Sequence, residues 1–218
     1  MEHPIRIMAP VVALLVGGVL AAGCAAPEPM PEVTPGARPT AAPATTAGGT
    51  DPKAAAASGA TLGGAGTACA LPASFALAAK WEPEAIDDPE DPEFAALTRQ
   101  GPATVRCEVD AKPAGHIGYL RVWTADRGPA RAALEGFVKA EKKATAVAYR
   151  ETKAGALPAT EVTYTVADEL GGESKEERAF AVATPKGTVI VHLGGLDTAE
   201  HRAMLPAYEL AKSTTKAL

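Results

Sequence analysis

Aromatic side chains make up only 5% of this 218-residue chain, and the usual bearers of chemistry are scarcer still, with three cysteines and four histidines. The only serines are Ser58, Ser74, Ser174 and Ser213, and none stands in the Gly-x-Ser-x-Gly setting of a nucleophile elbow, which argues against a hydrolase triad. There is no His-Glu-x-x-His pair for zinc. An excess of positive charge is also missing. The formal net charge is -5, whereas a nucleic-acid-binding chain needs a basic surface, so no nucleic-acid partner is expected. Long apolar runs are absent apart from residues 7–22, which fall short of the roughly 20 strongly apolar residues of a bilayer span and are weakened by Gly17 and Gly18.

What is present begins at the N-terminus. Residues 1–23 read as a signal peptide, with Arg6 and the free amino group ahead of the apolar run. The run ends in Leu20-Ala21-Ala22-Gly23-Cys24. This resembles the lipobox of bacterial lipoproteins, and the resemblance implies cleavage before Cys24 and a diacylglycerol on its sulfur. Each buried methylene of such chains contributes about 0.8 kcal/mol, so two chains anchor where one would hold only marginally. The chain is therefore expected on the outer face of the cytoplasmic membrane, with the membrane as a partner through Cys24.

Residues 24–68 follow the lipidation site as a stretch of Ala, Pro, Gly and Thr without hydrophobic periodicity. No face of it can be buried to offset the entropy of ordering, so it is expected to be a disordered tether spanning roughly 35–40 Å. Threonines flanked by Ala and Pro are candidate O-glycan sites. The remaining two cysteines, Cys69 and Cys107, form an even pair in an oxidising compartment, and a disulfide between them is expected.

Residues 69–218 are long enough for one globular domain. Strands are expected at 75–81, 104–110, 117–124, 146–152, 159–166, 177–184 and 188–193. In 104–110, Val105, Cys107 and Val109 alternate with Thr104, Arg106 and Glu108. Residues 82–100, with Pro83, Pro89 and Pro92, read as an acidic loop. Asp168-Glu169-Leu170-Gly171-Gly172 and Pro185-Lys186-Gly187 read as hairpin turns. Residues 130–143 form an amphipathic helix with Leu134, Phe137 and Val138 inward, and Lys139, Lys142 and Lys143 outward. A second helix begins at Asp197, with Glu200 completing a capping box and Met204, Ala207, Tyr208 and Ala211 inward. Pro206 is expected to kink or break it.

These elements describe an α+β domain. An antiparallel sheet of about six strands packs with two helices in the order β-β-α-β-β-β-β-α, with room for one extra N-terminal strand. Leu157-Pro158-Ala159 leading into Thr163-Tyr164, and Gly194-Gly195 ahead of Thr198-Ala199-Glu200-His201, carry a resemblance over residues 71–218. The chain resembles the PsbP/Mog1-like fold and the actinobacterial lipoproteins of the LpqN type. That resemblance implies a non-enzymatic extracytoplasmic domain, often accessory or ligand-binding, with no catalytic residues.

Three candidate sites remain. Tyr119, Arg121 and Trp123 share one strand face and would form an aromatic and cationic ligand patch if that face were open, suited to a glycan or lipid headgroup. If helices cover both sides of the sheet, the same residues are core and rim. His116, His192 and His201 could gather with Glu200, but zinc needs three or four ligands, so structural histidines and no metal are expected. The carboxylates Glu82, Glu84, Asp87, Asp88, Glu90, Asp91 and Glu93 lack the central glycine of an EF-hand and read as a solvated loop. The function expected is a monomeric, non-catalytic binding or accessory module of the cell envelope. It needs no cofactor, and its partner is a glycan, a lipid or an envelope protein. The alternatives are a passive structural surface protein, or a metal-dependent envelope enzyme built on the histidines.

Overall fold

A computed structural model describes residues 56–167 and 172–218. The signal peptide, Cys24, the first part of the tether and most of the Asp168–Gly172 turn lie outside the described residues. In chain order the strands are β1 (Ser58–Leu62), β2 (Ala73–Ala78), β3 (Glu82–Ala85), β4 (Arg99–Gln100), β5 (Ala103–Asp110) and β6 (Gly118–Ala125). Helix α1 (Ala130–Ala140) precedes β7 (Ala144–Ala154), β8 (Leu157–Val166), β9 (Lys175–Thr184) and β10 (Gly187–Gly195), and α2 (Thr198–Thr214) precedes β11 (Lys216–Ala217).

Strand β10 is the reason for the architecture. Its run Thr188-Val189-Ile190-Val191-His192-Leu193 is buried along its whole length, as suits a strand covered on both faces. It lies inside an antiparallel sheet of order β3-β5-β6-β10-β9-β8-β7, with β4 pairing β5 beside this path. Leu120, Val122, Phe180, Val182, Val191 and Leu193 face α2 and a small second sheet, β1-β2-β11, which supply Phe75, Leu77, Met204 and Tyr208. On the other face Val105, Trp123, Val162, Tyr164, Ala181 and Ile190 pack beneath Leu134, Phe137 and Val138 of α1.

The expectation of a six-stranded α+β sheet is corrected. Among the described residues eleven strands form two antiparallel sheets, one of eight strands, beside two α-helices and two short 3-10 turns, so the domain is mainly β. The strands that pattern reading misses are edges. β3 is Glu-Pro-Glu-Ala, largely exposed, with Pro83 in a position that only an edge strand tolerates. β4 and β11 are two residues each. Such strands form because a neighbour offers unpaired backbone groups, not because their side chains alternate. The same holds for β1, which lies within residues read as tether. It pairs with β2 and buries Leu62 completely, so the ordered domain starts ahead of Cys69.

A second correction concerns β5. Val105 packs in the α1-side core, yet Cys107, two residues on, packs in the α2-side core. Simple alternation would put both on one face. The register against β6 slips between Val105 and Cys107, a β-bulge at Arg106 that rotates the strand by one residue.

Helix α2 begins as expected, with the Asp197 carboxylate accepting from the Glu200 amide at 2.8 Å, but it runs unbroken through Pro206. It is tied to the sheet by Glu161 of β8, which is fully buried. Its carboxylate accepts from Tyr208 Oη at 2.9 Å and Lys212 Nζ at 3.0 Å, and pairs with Arg150. Burial alone would raise the Glu161 pKa, but Lys212, Tyr208 and Arg150 outweigh it and hold the carboxyl below its usual range. No helix among the described residues is long and apolar enough to cross a membrane.

Candidate functional site

The patch of Tyr119, Arg121 and Trp123 is not an open one. The three share a face of β6, but α1 covers Trp123, which is 5% exposed and meets Phe137 edge-to-face at 5.2 Å. Tyr119 and Arg121 lie beyond the end of that cover. The Arg121 guanidinium stacks 4.1 Å above the Tyr119 ring and donates to Glu108 at 2.7 Å. Tyr119 also lies across Gly194 on the neighbouring strand, where a Cβ would come within 2.6 Å of the ring. The trio therefore splits into core and rim.

Beside it, on the same face, sits a buried polar cluster. His192 of β10 turns its Nε2 toward the Glu177 carboxylate of β9 and toward Tyr164 Oη of β8, the latter at 3.2 Å. Lys175 Nζ reaches Glu177 at 2.9 Å and the Gly195 carbonyl at 3.1 Å. Burial raises the Glu177 pKa, but His192 and Lys175 prevail and set it at about 2. Burial pushes the Tyr164 hydroxyl well up. These are features of a closed, charge-compensated pair holding three strands together. Glu177 and Tyr164 border a cleft of about 250 Å³ that also meets His201 of α2. His201 is buried, and burial lowers its pKa to about 4. His116 is instead at the surface, 3.4 Å from Glu200. The three histidines do not converge, and the described residues contain no group of three His, Cys, Asp or Glu placed to hold a metal. In the acidic segment Asp91 caps a 3-10 turn at Pro92–Thr98 and Asp88 pairs with Arg106.

A second concavity lies at the end of the sheet where β4, β5 and β6 meet the β9–β10 turn. It is a groove of about 810 Å³. Arg99 comes from β4, Arg106 from the β5 bulge, Arg127 from the segment after β6 and Lys186 from the β9–β10 turn. Asp126 is the only carboxylate among its described lining residues. Thr104, two residues before Arg106 on β5, also lines the groove. The opposite wall is Ala70 and Pro72. A disulfide joins Cys69 to Cys107, with Cα atoms 6.0 Å apart, so each wall has a groove residue next to a bridged cysteine. Sequence reading missed this site because its residues come from four separate segments. The adjacency of Cys69 to Ala70 and of Cys107 to Arg106 was the only local signal.

No curated protein matches the chain. A family model described as "Uncharacterised lipoprotein" matches residues 39–215, a span that holds every described element up to the end of α2 and leaves Cys24 outside it. By that match over most of its length, the chain belongs to this lipoprotein family.

Proposed function

We propose that this lipoprotein is a non-catalytic binding or accessory module of the cell envelope. It is held by lipid on Cys24 at the outer face of the cytoplasmic membrane and acts as a monomer. The setting is an actinobacterial envelope, on the resemblance to LpqN-type lipoproteins. The observation that supports a binding role is the groove: a wide, preformed concavity whose walls are cross-linked and whose cationic side chains converge from separate elements. The buried Glu177 carboxylate, by contrast, already has Lys175 and His192 as partners and serves the sheet.

The test is native mass spectrometry of the full-length protein extracted from its own membrane. A bound non-protein mass is expected on the wild type and not on Arg99→Ala/Arg127→Ala. A bare mass for both proteins would favour a passive surface role. For the anchor, Cys24→Ala is expected to leave an uncut precursor or to release the protein to the medium. A mature, membrane-bound Cys24→Ala protein would defeat that part of the reading.

A further inference from the structure

The described domain has eight arginines, and six of them are ion-paired: Arg106 with Asp88, Arg121 with Glu108, Arg131 with Glu135, Arg150 with Glu161, Arg178 with Glu209 and Arg202 with Glu176. The two that have no carboxylate partner among the described residues are Arg99 and Arg127, and both line the groove. In a chain of net charge -5, an accidental cluster of unpaired guanidinium groups on one concavity would be attracting nearby carboxylates. Here only Arg106 has one, Asp88, at 2.8 Å on a largely exposed side chain that an incoming anion could replace.

We propose, building on the binding-module reading, that the groove takes a chain-like phosphate polyanion of the cell wall: a glycan or polyol polymer linked through phosphodiesters. Three features favour this ligand. No aromatic side chain lines the groove, so neutral sugar rings would find nothing to stack on, and recognition falls to charge. The four cations come from four elements around an open trough. This suits tetrahedral phosphates, whose oxygens can bridge guanidinium groups set at different angles, better than planar carboxylates that each fill one fork. The third feature is placement. The ordered chain enters beside the far end of β2, where the Ala79 amide donates to the Ala57 carbonyl, whereas the groove lies past the near end, at Pro72. The six residues of β2 separate these points by about 20 Å. The groove thus lies at the opposite end of β2 from the first described residues, which leaves its trough clear of the point where the ordered chain begins.

The experiment uses the full lipidated chain in detergent at 0.15 M salt and a fluorescent poly(glycerol phosphate) probe read by anisotropy. Binding is expected, with a loss of about tenfold for each of Arg99→Ala and Arg127→Ala, and a steep decline with added salt. Lys139→Ala, on the exposed face of α1, controls for general loss of charge and is expected to bind as wild type. Circular dichroism melting of each variant excludes misfolding. The inference is overturned if the probe does not bind, if the groove variants bind as tightly as wild type, or if polygalacturonate competes as well as the phosphate polymer. Displacement of the probe by phosphatidylglycerol vesicles at lower phosphate concentration than by the polymer would assign the groove to headgroups and overturn it too. A different co-purifying mass that is lost in Arg99→Ala/Arg127→Ala, together with failure of the phosphate probe, would reject this ligand while leaving the binding-module reading intact.

Discussion

Removing the Cys69–Cys107 bridge with the double substitution Cys69→Ser/Cys107→Ser should weaken the domain by an amount that the loop length sets. The bridge closes 38 residues. Constraining such a loop in the unfolded chain contributes about 4 kcal/mol at 25 °C. Both cysteines are buried, at 2% and 0% exposure, so the replacing hydroxyls gain no solvation and the loss should not fall below that value. In a domain of this size a loss of about 4 kcal/mol lowers Tm by roughly 8–16 °C. Urea unfolding followed by tryptophan fluorescence is the assay, since Trp81 and Trp123 are both buried and will report. The urea dependence should also steepen, because an uncrosslinked chain exposes more surface when it unfolds. Treating the wild type with reductant should reproduce the shift, and reductant should leave the variant unchanged. A loss under about 1 kcal/mol would refute the reasoning, because the unfolded loop would then already be constrained without the bridge.

Three further outcomes follow from the buried groups. Lys212→Met strips one cation from a carboxylate that is fully buried, and should cost about 3–5 kcal/mol in urea unfolding; Glu161→Gln added to it should restore part of that loss, and strict additivity of the two would argue against a coupled network. Acid should destabilise the domain in two stages. His201 is held at about 4 against 6.5, so stability is full above pH 6.5 and falls as the unfolded chain alone takes the proton down to about pH 4; Glu177, held at about 2 against 4.5, extends the decline from pH 4.5 to 2. Urea midpoints measured against pH should lose the upper stage in His201→Leu, and an unchanged profile would exclude His201 as its source. Trp123→Ala should cost about 3–5 kcal/mol, as for a core aromatic, whereas an exposed ligand residue would leave the melting temperature in place.

Much of the β-rich centre was legible because its strands obey two-residue alternation or are continuously apolar. The segments 104–110, 159–166 and 188–193 lie within strands, 117–124 falls on β6 except for its first residue, and α1 and α2 start where Ala130 and the Asp197 cap place them. Alternation has no purchase where backbone pairing alone selects the conformation, which is why β1, β3, β4 and β11 were not seen and the strand count came out low. It also misled at β5. A single extra residue leaves the pattern of letters intact while exchanging the faces behind it, so Val105 and Cys107 read as neighbours on one side. The groove was hidden for a related reason: Arg99, Arg127 and Lys186 each look like an ordinary solvated charge until the sheet brings their segments to one end. Tyr119, Arg121 and Trp123 were correctly placed on a common face, and what sequence could not tell was where α1 stops covering it.

The bulge at Arg106 has a consequence for how the chain reaches its oxidised form. Cys107 points toward Cys69 only when β5 has taken the extra residue; in the unbulged register its sulfur would face α1, with the sheet between the two thiols. The covalent bond can then close only on correctly aligned strands, so it acts as a check on alignment during folding. Deleting Arg106 removes the extra residue but keeps Cys107 opposite Val122, so the bridge should still close, and a thiol-alkylation mass count should find neither Cys69 nor Cys107 free.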